Sequence, residues 1–113
     1  MIDLPKILRE YRVKIIPAEE AKRLPGYPNN LGCRTKFGGM PDEIHDPKPP
    51  PECPCCTAPM HFIAQIDSFE HMSSSNPNEK HWNEQHFMFG DVGMIYVWFC
   101  FDCCWPHATM ETY

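Results

Sequence analysis

The sequence predicts a mainly β domain of the α+β class: a small antiparallel sheet with one short N-terminal helix, pinned where two cysteine pairs meet. Three observations carry that expectation. The chain has 113 residues, about one domain's length. It holds 13 prolines, which break helix interiors and leave little room for long helices. Its most apolar runs are short and rich in β-branched and aromatic residues, as strands are.

The elements follow in order. "YRVKII" (11–16) has the β-branched content of a short strand. "PAEEAKRL" (17–24) has helix chemistry: Pro17 suits the first turn, Glu19 and Glu20 sit at the positive end of the dipole, and Lys22 and Arg23 sit at the negative end. Pro25 and Gly26 stop it, and "GYPNNLG" is turn material. "CRTKFGGMPDEIHD" begins as a strand and breaks at Gly38 and Gly39, with Asp42, Glu43 and Asp46 read as a solvated loop. "DPKPPPE" (46–52) should run extended as a polyproline-type spacer. "HFIAQI" (61–66) reads as a strand, and Gln65 on it needs a backbone partner. A long polar insertion follows over 67–85. "HFMF" gives a brief strand, "GDVG" a turn, and "MIYVWFC" (94–100) the strongest strand, apolar enough to be covered on both faces. "HFIAQI" should neighbour "MIYVWFC", and "HFMF" should pair with it across the "GDVG" turn. The whole reads as one domain (1–113): an N-terminal strand and helix segment (1–46), a proline-rich spacer (47–52) and a ribbon-like β segment (53–104).

The cysteines carry the chemistry. "ECPCCTAPM" holds Cys53 and Cys56 as one C-x-x-C, and "CFDC" supplies Cys100 and Cys103 as another, 44 positions beyond Cys56. Two such pairs are the signature of a four-cysteine zinc site, because two residues between ligands make a knuckle that aims both sulfurs at one ion. One knuckle precedes "HFIAQI" and the other ends "MIYVWFC", so antiparallel neighbours would bring both to the same end. The expectation is one structural zinc ion held by Cys53, Cys56, Cys100 and Cys103. Competing uses of the thiols fit less well. A glutaredoxin-type C-P-x-C follows a strand and opens a helix, whereas here "PKPPPE" precedes the motif and Pro59 follows closely. Seven cysteines are an odd number for a disulfide framework. Cys55 and Cys104 are read as packed bystanders, although either can replace a neighbouring ligand. Cys33 is read as a small core residue. His61 and His107 flank the knuckles as supporting donors or substitute ligands, and His71, His81 and His86 are read as solvated. Asp91 is read as turn chemistry.

Charge and patterning narrow the function classes. Residues 1–48 carry nine basic and seven acidic side chains, whereas residues 49–113 carry one basic (Lys80) and eight acidic. That second half has no basic cluster to neutralise phosphates, so no nucleic-acid partner is expected. The longest apolar run, "MIYVWFCF", has eight residues against the 18 or so of a membrane span. With Asp3, Lys6, Arg9 and Glu10 interrupting the start, no signal peptide or membrane partner is expected, and the location is expected to be cytoplasmic. No nucleophile elbow, H-E-x-x-H or phosphate-binding glycine loop is present.

Taken in order, "KFGGMPDEI", "CPCCTAPMHFIAQIDS" and "FMFGDVGMIYVWFCFDCC" resemble the YwqG-like family of bacterial proteins of unknown function. A fainter likeness runs to the zinc-binding programmed cell death protein 2 family, which shares the Gly-Gly-x-Pro, cysteine-pair and Gln elements. The resemblance implies a bacterial, cytoplasmic, β-rich protein without established enzyme activity. It also implies a role in neutralising a toxin, as an immunity protein does, or in holding a client protein as a chaperone does. The expected function is therefore a non-catalytic zinc-binding module for protein–protein interaction, with a basic toxin as a candidate partner. A chaperone-like client binder and a metalloenzyme of unknown reaction are the alternatives.

Overall fold

The computed structural model of the chain describes residues 7, 10, 12–19, 34–68, 89 and 93–112. Four strands form one antiparallel sheet: β1 (Lys36–Phe37), β2 (His61–Asp67), β3 (Met94–Cys100) and β4 (Trp105–Glu111), in that spatial order. The two principal strands are those the sequence predicts, side by side and antiparallel, from His61 opposite Phe99 to Asp67 opposite Met94. β1 is also where the sequence puts it. Gly38 and Gly39 end it, both in the left-handed region at φ 72° and 74°, which glycine enters without penalty.

β4 is the strand the sequence reading did not anticipate. It pairs with β3 along its whole length, from Trp105 opposite Cys100 to Glu111 opposite Met94. It lies at the sheet edge, where Pro106 is tolerated because one side of the strand needs no ladder donor. The expected strand over 11–16 does not form: residues 12–16 are exposed and pair with no strand among the described residues. β-branched residues favour strands only when a neighbouring strand lets them pack, and none of the described strands lies alongside. Ala18 and Glu19 form a turn at the start of the expected helix, and residues 20–24 lie outside the described residues. "HFMF" and "GDVG" also lie outside them, except for Phe89 and Gly93, as do Cys33, Asp91, His71, His81 and His86.

The core lies on one face of the sheet. Met94, Tyr96, Trp98 and Cys100 alternate along β3 as buried residues and pack with Cys53 and Met60, joined by Ile44, Phe62 and Cys103. The opposite face of β3, with Ile95, Val97 and Phe99, is only half-buried, so one face is sealed where two were expected. A bulge at Ile63 explains which residues of β2 join the core. Phe62 stands opposite Trp98 and Ala64 opposite Val97, leaving Ile63 extra, with its carbonyl accepting the Gly38 N–H at 2.6 Å. The shift puts Phe62 on the same face as Gln65 and Asp67, where its ring meets Trp98 edge-on at 5.5 Å.

The chain between β1 and β2 covers that core. The Tyr96 hydroxyl donates to the Asp42 carbonyl at 3.2 Å, His45 bonds the Thr112 carbonyl at 2.7 Å, and Lys48 reaches Glu111 at 3.2 Å. Asp42 and Glu43 are thus anchored rather than merely solvated, with Glu43 also accepting the Lys48 N–H at 2.7 Å. The proline-rich spacer has no regular structure until Glu52 bridges to Pro59.

Candidate metal centre

Each cysteine knuckle is a turn, and the two share one backbone feature. In the first, the Cys53 N–H donates to the Ala58 carbonyl at 2.9 Å and the Thr57 N–H to the Cys53 carbonyl at 2.8 Å. The Met60 N–H then donates to the Pro51 carbonyl at 2.9 Å, closing the base. The second is the turn over 101–104 that joins β3 to β4. In both, the residue after the second cysteine of the pair adopts a left-handed conformation: Thr57 at φ 61° and Cys104 at φ 54°. Cys104 is therefore the positional counterpart of Thr57, which explains why this extra thiol is not aimed with the pair.

The pairing of β2 with β3 brings the two knuckles together at one end of the sheet. The sulfurs of Cys53, Cys56, Cys100 and Cys103 all lie within 4.8 Å of one another, and Cys56 and Cys100 are 3.7 Å apart across the knuckles. These are the four residues that the spacing predicts. No disulfide joins the described cysteines. Cys55, Cys104, His61 and His107 are exposed and stand outside the group. The His61 ring instead meets Phe101 edge-on at 5.3 Å.

The four thiols are not equivalent. Cys53 and Cys100 are buried, Cys103 is half-buried and Cys56 is exposed. The Cys56 backbone N–H, aided by that of Cys55, steadies the Cys53 thiolate and brings its pKa from 9.0 to about 7 in spite of burial. The Cys56 thiol is raised: the Ala58 N–H favours its ionised form, but the Cys100 thiol and desolvation outweigh it. Cys103 is raised further, first by the Cys56 thiol and then by burial. One thiolate forms readily, whereas Cys56 and Cys103 resist joining it, because anions this close repel. A metal cation at the centre of the group reverses that resistance. The donor set is therefore suited to a metal ion.

At the far end of the same strands lies a buried polar network that sequence reasoning missed. Arg34 grips Asp67 through Nε at 3.0 Å and a terminal nitrogen at 3.1 Å, and the Arg34 backbone N–H donates to the same carboxylate at 3.1 Å. Asp67 also accepts the Ser68 N–H at 2.8 Å, and Ser68 in turn donates to the Gly93 carbonyl at 2.6 Å. Gln65 finds the backbone partner it needs in the Arg34 carbonyl at 2.6 Å, and it exchanges bonds with the Asp42 backbone and carboxylate at 2.9 Å each. The signal was present in part: Gln65 and Asp67 are two apart and so share a face of β2. No protein-family model matches the chain, and neither does any curated protein or solved structure.

Proposed function

We propose that the chain is a non-catalytic zinc module whose ion builds the fold and whose sheet engages another protein. The observation that carries the metal half is the four-sulfur group. Sulfurs about 2.3 Å from a tetrahedral zinc lie about 3.8 Å apart, which the 3.7 Å between Cys56 and Cys100 matches before any adjustment. Borderline-soft zinc suits four thiolates, and a shell completed by protein sulfur leaves no position for substrate. Zinc here is structural.

The interaction half rests on the uncovered face. Phe37, Ile66 and Met110 are exposed, and the register places them on the face that also carries Ala64, Ile95 and Val97. Exposed apolar residues gathered on one sheet face in this way mark binding sites. The acidic balance of residues 49–113 favours a basic partner. The resemblance to the YwqG-like family supports a bacterial, cytoplasmic setting and a toxin-neutralising role, with a basic toxin as the partner.

Three measurements test the reading. Metal analysis of the purified chain should find one zinc, and a strong chelator should abolish its cooperative thermal transition. A metal-free chain with an unchanged transition refutes the structural role. Affinity capture should retain a basic protein less well as salt rises, and a salt-insensitive complex counts against the charge argument.

A further inference from the structure

We propose that Cys56 is a hydroperoxide-reactive ligand of the metal centre, with Cys100 as its resolving thiol, so that oxidation expels the ion through one defined disulfide. The inference rests on the metal reading above.

The geometry supplies each requirement. Reaction with a hydroperoxide needs a sulfur held as thiolate and open to solvent, preferably beside a second cysteine. A bound metal holds all four group members as thiolates. Cys56 alone among them is exposed: Cys53 and Cys100 are 1% and 4% exposed, and Cys103 is half-buried. Its near neighbour, Cys100 at 3.7 Å, lies on the other knuckle. Closing that gap to a disulfide of about 2.05 Å needs a movement of under 2 Å, a small adjustment in a turn. Cys55 and Cys104 are exposed thiols outside the group and serve as internal controls.

The chemistry closes without a further reactant. The Cys56 thiolate attacks one oxygen of the hydroperoxide; the S–O bond forms, the O–O bond breaks and hydroxide or alkoxide leaves. The Cys100 sulfur then attacks Cys56; the S–S bond forms, the S–O bond breaks and hydroxide leaves. The sulfur pair has lost two electrons and the peroxide has gained them. The ion is left with Cys53 and Cys103 and is released. The new bond still joins β3 to the first knuckle, so the sheet keeps its clamp while the metal is lost.

The test uses the metal-loaded full chain, hydrogen peroxide as the probe, a chromogenic chelator to follow release, and mass spectrometry to map cysteines. Release should be at least about tenfold faster with peroxide than without it. It should coincide with a Cys56–Cys100 disulfide and be reversed by a dithiol plus zinc. The double variant Cys55→Ser/Cys104→Ser should behave identically, because neither residue belongs to the group. A first disulfide that includes Cys55 or Cys104, or slower release in the double variant, overturns the proposal. So does metal retention with peroxide present. A chain that binds no metal before oxidation overturns the underlying reading as well, which the initial metal analysis distinguishes.

Discussion

Thr57 is a β-branched residue at φ 61°, a conformation that suits glycine and that L side chains occupy at a cost of roughly 1–2 kcal/mol. Thr57→Gly should therefore stabilise the fold by about 0.5–1 kcal/mol, net of the entropy that glycine loses on folding, as read from denaturant midpoints. Asp67 is the opposite case. Fully buried and accepting from both Arg34 and Ser68, it should cost at least about 3 kcal/mol when replaced by Ala, because the donors around it lose their acceptor. Metal affinity should also follow pH. Cys53 ionises at about 7, whereas Cys56 and Cys103 are raised above 9.0, so protons compete with the ion and are expelled on binding. Affinity should rise as pH rises and fall steeply below about 7, with chelator competition as the measurement. The four clustered cysteines were legible in the sequence because two-residue gaps specify a knuckle locally. The Arg34–Asp67 pair was not, since its partners lie 33 positions apart with nothing between them to announce the meeting.

β2 and β3 were legible because each is a run of strand-forming residues with a cysteine knuckle at one end, and the knuckles demanded antiparallel neighbours. β4 was not. Its exposed edge position lets Pro106, His107 and Thr109 stand where a buried strand would show apolar residues, so alternation is blurred. The bulge at Ile63 hid the face assignment of β2 in the same way, since strict alternation places Phe62 opposite to where it packs. Gly93 shows how tightly the start of β3 is built: a Cβ there would collide with the Phe89 carbonyl oxygen and press on that of Glu111. Gly93→Ala should destabilise by about 1–3 kcal/mol, measured by thermal unfolding. On the uncovered face, Met110→Lys should leave stability within about 0.5 kcal/mol, because Met110 is 55% exposed. The same change should weaken capture of the partner if that face binds it.

The sheet is fastened at both ends by different means, sulfur at the knuckles and a buried ion pair beside Gly93. Chelation should therefore raise amide exchange first around Cys53 and Cys100, while Gln65 and Asp67 keep their protection longer. The ligand spacing has one more consequence. A bound ion would join positions 44 apart, and the Ser68 hydroxyl, which accepts the Phe89 N–H at 3.2 Å, draws the base of the intervening segment together. Closing a chain loop costs free energy that grows only with the logarithm of its length, about 0.6 kcal/mol for each doubling. The segment over 70–88 is thus nearly free to change in length as far as the clamp is concerned. Exchanging it for a short glycine–serine link should leave metal affinity unchanged, so natural variation can accumulate there at little thermodynamic expense.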